Sequence, residues 1–167
     1  MYIKTDRLEL KPIRDKDCDN VIAILTDDVV RQTYMVPDFE TEEAAEKLFV
    51  RLRDLSNSND FYQVGIFLKD ELIGIANEVE REGDSIELGY AILPEFHNQG
   101  YGTEMLKALI MQMHAEGFSK VVTGAFEENL SSIRVMEKCG MQRIEKSDEI
   151  AYRGKVHTCV YYVKSCT

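Results

Sequence analysis

A mixed α/β chain is predicted, with a mostly antiparallel central sheet of about six to seven strands and helices on both faces. Three observations predict it. Apolar residues switch between a period of two and a period near 3.6 along the chain. Strand and helix patterns alternate instead of segregating into halves. The length of 167 residues, 44% hydrophobic and 30% charged, suits one compact domain over residues 1–167 with its own core.

Leu8, Leu10 and Ile13 alternate with polar neighbours across residues 7–14, the pattern of a half-buried strand. Asp15 and Asp17 then precede Cys18, Val21, Ile22 and Leu25 at helical spacing, as an acidic helix start should. After Pro37 a second helix is predicted from Thr41, because Ala45, Leu48, Phe49, Leu52 and Leu55 form one stripe before the polar run 56–60. Residues 61–68 and 72–80 flank Lys69, Asp70 and Glu71 and read as a hairpin. Past a turn at residues 82–84, Ile86, Leu88, Tyr90 and Ile92 alternate with Glu87, Gly89 and Ala91 until Pro94 stops a third strand.

A helix follows, with Met105, Leu106, Leu109, Ile110 and Met113 on one face and its end near Gly117. Residues 120–126 are mostly apolar and predict a central, buried strand. Residues 129–139 predict a helix capped by Asn129 and closed by Gly140. Runs 141–150 and 156–163 around Arg153 and Gly154 predict a final antiparallel pair.

The 20 Lys and Arg against 30 Asp and Glu give a formal net charge of −10, the wrong sign for a phosphate backbone, so nucleic acid is excluded as a partner. Cys18, Cys139, Cys159 and Cys166 are scattered without a C-x-x-C pair, which points to a reducing, cytoplasmic setting. No apolar run approaches the roughly 18 residues of a membrane span. His114 and His157 have no partners at ligand spacing, so no metal is expected.

The chemistry-bearing segment is HNQGYG, residues 97–102, between a strand end and a helix start. Unpaired amides and the positive helix end favour an anion there, and Gly100 and Gly102 remove side chains that would block its approach. A dinucleotide fingerprint would need glycine where Met105 stands, and a Walker loop would need Gly-Lys-Ser/Thr where Gly102, Thr103 and Glu104 stand. Both fail. Thr103 is placed to cap a phosphate oxygen, whereas Glu104 answers the helix dipole.

The segment IELGYAILPEFHNQGYGTEMLKALI resembles the acetyl-CoA-binding motif, Q/R-x-x-G-x-G/A, of the GNAT superfamily of N-acetyltransferases. NLSSIRVMEKCGM is similar to the family's N-x-x-S/A-x-x-x-x-x-K-x-G-F helix, and TDRLELKPIR resembles the opening strand of its ribosomal-protein N-terminal (Rim-type) branch. The resemblance implies a GNAT-type sheet and an acetyl-CoA donor. It also implies direct transfer to a primary amine, either a protein N-terminus or a small amine, with a homodimer allowed. Donor contacts are then expected at Ile92, Leu93, His97, Asn98, Gln99, Gly100, Tyr101, Gly102, Thr103 and Asn129, the oxyanion being met by a backbone N–H near residues 91–93.

Two positions depart from the pattern. His97 replaces the usual Gln or Arg, and Met136 stands where many members carry a Tyr proposed as general acid. Acetyl transfer needs a base for the amine, and Glu87, on the same strand face as Gly89 and Ala91, fits that role or that of a paired surface acid. Ser132, ahead of Tyr90, is the candidate donor to the departing sulfur, while Cys139 reads as a small buried hydrophobe. The missing Tyr leaves an alternative open: an acyl-CoA-binding sensor of the same fold that turns nothing over.

Overall fold

The computed structural model describes residues 1–166. Among the described residues the sheet has eight strands rather than six to seven: β1 (Ile3–Lys4), β2 (Leu8–Lys11), β3 (Gln63–Leu68), β4 (Glu71–Glu82), β5 (Ser85–Ile92), β6 (Lys120–Phe126), β7 (Gln142–Tyr152) and β8 (Lys155–Ser165), in the order β1-β2-β3-β4-β5-β6-β8-β7. The extra one is β1, Ile3–Lys4, paired antiparallel with Leu10 and Glu9 of β2 (Leu8–Lys11). Two residues are too few for any periodicity to register. All other pairs with recorded register are antiparallel except β5 with β6. No helix among the described residues is long and apolar enough to cross a membrane.

Contacts divide the chain into two compact units. The first holds Met1–Glu78 and Tyr90–Tyr101; the second holds Val79–Gly89 and the chain from Gly102 onward.

In the first unit, a 3-10 turn at Asp15–Asp17 leads into α1 (Cys18–Thr26), and α2 runs over Glu42–Ser56 with Thr41 accepting the Ala44 N–H as its cap. β3 (Gln63–Leu68) pairs with β2 on one side and with β4 (Glu71–Glu82) on the other. The connecting turn is one residue shorter than the sequence predicted, with Lys69 at φ 59. Its Asp70 carboxylate is held at 2.6 Å by both Arg14 and Lys16, pulling its pKa down to about 2 through the Lys16 and then the Arg14 hydrogen bond. The core joins Ile13, Val21, Ile24 and Leu25 with Phe49, Phe67, Ile75, Ala91 and Leu93. Ser56, expected in the polar run that ends α2, is 3% exposed, because its Oγ accepts the Ile13 N–H at 2.9 Å and donates to the Arg53 carbonyl at 2.7 Å. A satisfied hydroxyl is tolerated inside.

In the second unit, α3 (Tyr101–Ala115, from its second residue) buries Met105, Leu106, Leu109, Ile110 and Met113, the predicted stripe. β6 (Lys120–Phe126) lies between β5 (Ser85–Ile92) and β8 (Lys155–Ser165). β5 runs parallel to it through Ser85↔Lys120, Ile86↔Val121 and Glu87↔Val122. α4 covers Leu130–Lys138, and β7 (Gln142–Tyr152) closes the edge through a hairpin with β8. Arg153 and Gly154 take φ 50 and 73, the two left-handed residues that a tight hairpin of this twist requires. The β7 register shifts between Arg143 and Ser147, so Lys146 lies within an irregular stretch of the strand.

Candidate active site

The loop after β5 is built from its own backbone and braced by three side chains. Leu93 N–H donates to Ile73 O at 2.9 Å, Pro94–Phe96 forms a 3-10 turn, and α3 starts at Tyr101. Asn98 at φ 58 and Gly100 at φ 85 sit in the left-handed region, which Asn and Gly enter at least cost. Left-handed residues flanking a helix start turn successive N–H groups toward one side, a concavity suited to an anion.

The polar side chains of the loop serve the loop itself. His97 donates from Nε2 to Ile92 O at 2.7 Å, and Gln99 Nε2 donates to Glu95 O at 2.9 Å. Arg7, to which no sequence pattern gives a role, reaches the same loop from the residue before β2. Its Nη1 donates to Gln99 O at 2.9 Å and its guanidinium stands 4.4 Å from the centroid of the Tyr101 ring. A Cβ added at Gly100 would come within 3.2 Å of Arg7 Nη2. The departure at His97 thus falls on a residue whose ring ties the loop to the strand end. Leu93, a predicted donor contact, has its N–H engaged by Ile73 O at 2.9 Å, its carbonyl accepting the Phe96 N–H at 3.0 Å and its side chain in the core.

Glu87 lies in the second unit, half-buried on β5. The registers Glu87↔Val122, Gly124↔Tyr161, Phe126↔Cys159 and Asp148↔Cys159 put these residues on one sheet face by strand alternation. Tyr161 donates its hydroxyl to Asp148 Oδ2 at 2.8 Å, and the Lys146 ammonium stands 4.3 Å from the Tyr161 ring centroid. Gly124 makes this possible: a Cβ there would meet Tyr161 Cε1 at 2.9 Å. Burial pushes the Glu87 carboxyl above its ordinary 4.5, Lys146 opposes the shift, and Glu80 and Asp148 add to it. Burial also raises Cys159 and Tyr161, the latter further through its hydrogen bond to Asp148. Both therefore stay protonated near neutrality.

Asn129 caps α4, its Oδ1 accepting the Ser132 N–H at 3.2 Å, which puts Ser132 in the first turn, half-buried. Met136 is 0% exposed, so the position that carries a Tyr in many members is core here. Cys139 is buried, with its thiol 3.6 Å from Thr103 O and its pKa pushed up to about 11 by burial, the state of an inert thiol. Among the described residues no group of three or more His, Cys, Asp or Glu is placed to hold a metal.

A mixed sheet with one parallel pair, and a glycine loop opening the helix that follows that strand, define the class as an α+β acetyltransferase fold. The family model described as "Acetyltransferase (GNAT) domain" matches residues 7–142, and the chain belongs to that family. It is 31% identical over 147 residues, 86% of this chain and 84% of the relative, to YnaD of Bacillus subtilis (strain 168), named an uncharacterized N-acetyltransferase. A GNAT-family acetyltransferase from Bacillus anthracis superposes with a TM-score of 0.84 at 25% identity, covering 99% of this chain and 98% of that one. RimL, named a ribosomal L7/L12 alpha-N-protein acetyltransferase and solved with coenzyme A, shares the fold with a TM-score of 0.86 at 18% identity, covering 99% and 98%.

Proposed function

We propose that residues 1–167 act as one acetyltransferase domain that moves an acetyl group from acetyl-CoA directly to a primary amine, in the cytoplasm. The observation that carries the donor half is the loop with left-handed Asn98 and Gly100, braced by Arg7, His97 and Gln99. Its amides, with those of Tyr101, Gly102 and Thr103 at the helix start, hold the pyrophosphate, and Thr103 Oγ1 caps it. Ile92 and Leu93 line the thioester arm, and Asn129 adds a contact while capping α4. Support also comes from RimL, solved with coenzyme A on the same fold.

Bound acetyl-CoA supplies an activated carbonyl and a thiolate leaving group. Glu87 takes the proton that the acceptor ammonium must lose before its nitrogen can attack. Burial raises its pKa, the direction that makes a carboxylate a stronger base. The Ser132 hydroxyl donates to the sulfur as the C–S bond breaks, the role that buried Met136 cannot fill.

Mixing the protein with acetyl-CoA and a panel of primary amines, and following free thiol, tests the reading. Amine-dependent thiol release is expected. Donor binding without thiol release across the whole panel would instead identify an acyl-CoA sensor.

A further inference from the structure

An aromatic ring that already faces an ammonium group, with a carboxylate on its hydroxyl, stands on the Glu87 face of the sheet, and proton removal by Glu87 uses neither. Tyr161 is 7% exposed and fixed by Gly124 beneath it, so the ring loses little freedom when a ligand arrives. Asp148 is exposed, and its Oδ2 accepts the Tyr161 hydroxyl, which orients the carboxylate without neutralising it. Lys146, exposed in the irregular stretch of β7, places its Nζ 4.3 Å from the ring centroid. That is the geometry in which a ring quadrupole attracts a cation. Glu87 and Asp148 carry two negative charges against the single charge of Lys146.

We infer that Asp148 and Tyr161 form a seat for a second positive charge on the acceptor, the place the Lys146 ammonium takes when no acceptor is present. The preferred acceptor is therefore a small diamine over a monoamine of the same length. The inference deepens the reading of Glu87 as base and rests on it: one amino group goes to Glu87 and the other to the seat. Lys146, on a flexible stem in solvent, exchanges with the ligand, and the chain's net charge of −10 favours encounter with such cations.

Calorimetric titration of the full chain, saturated with CoA, compares putrescine and cadaverine with butylamine and pentylamine. At least one diamine should bind about tenfold tighter than its monoamine, a difference of roughly 1.4 kcal/mol. Asp148→Asn, which keeps an acceptor for the Tyr161 hydroxyl, should abolish that preference. Lys146→Met, which removes the resident cation, should tighten diamine binding by a larger factor than butylamine binding. Equal affinities for diamine and monoamine, or a preference that survives Asp148→Asn, overturns the seat. Turnover separates the two readings. Diamine preference without thiol release keeps the seat and removes the base reading of Glu87, whereas equal kcat/KM for each diamine and its own monoamine removes the seat alone.

Discussion

Replacing Glu87 with Gln isolates the proton-transfer step. Gln keeps the volume and the hydrogen-bonding end of the half-buried side chain, so β5 and its Val122 pairing should persist. Burial holds the Glu87 carboxyl above 4.5 in the folded state, so its protonated form is the one that folding favours. That contribution is present below the unfolded pKa and is lost as pH rises through the folded one. Removing the charge should therefore leave Tm at pH 7 unchanged or higher. Catalysis should fall. A primary amine with a pKa near 10.4 is neutral in only about one molecule in a few thousand at pH 7. A positioned base contributes about 10²- to 10⁴-fold, and kcat/KM of the variant should fall by that factor. The loss should then shrink by up to about tenfold per pH unit toward pH 10, as free amine replaces the missing base. In the unaltered enzyme, kcat/KM should rise with pH through a midpoint above 4.5, the direction that burial sets. The assay is thiol release under saturating acetyl-CoA from pH 5 to 10, with the donor Kd measured in parallel. A wild-type rate at pH 7, or a loss constant with pH, would refute the assignment.

Three further outcomes follow from other contacts. Arg7→Ala removes the bond to Gln99 O and the Tyr101 ring contact, and should raise KM for acetyl-CoA about three- to tenfold with kcat nearly unchanged; an unaltered KM counts against the clamp. Asn129→Ala deletes the α4 cap and should cost about 1 kcal/mol. For a chain of this size that is a fall in Tm of about 2–4 °C, read by thermal melt. Met136→Tyr, which restores the residue many relatives carry, should overpack a fully buried position at a cost of roughly 1–3 kcal/mol and give no gain in kcat; a faster enzyme would show that the position faces the substrate.

The α3 stripe from Met105 to Met113, the Asn129 cap and the Arg153–Gly154 turn were all legible in the sequence, because each is set by local periodicity or local backbone chemistry. What depended on contacts distant in sequence was hidden. β1 is two residues that matter only through pairing, and Ser56 looked like loop until Ile13 N–H was seen to need its Oγ. Arg7 reaches Gln99 across 92 positions, and no pattern could foretell it. Lys146 and Asp148 were likewise silent, since β7 carries an irregular register between Arg143 and Ser147, and Tyr161 of β8 gains its partners only through pairing with that strand. The donor loop was read from two glycines; Asn98 shares the left-handed work with Gly100, while Gly102 is the second residue of α3.

The central claim is that loop amides grip the donor's pyrophosphate. Calorimetry with acetyl-CoA and with S-acetylpantetheine, which lacks that group, tests it on the unaltered chain and on Gly100→Arg. The unaltered chain should bind acetyl-CoA at least about a hundredfold more tightly, a gap of roughly 2.8 kcal/mol, and Gly100→Arg should erase the gap while the chain stays folded. Equal affinity for the two thioesters, or a gap untouched by Gly100→Arg, would contradict the claim.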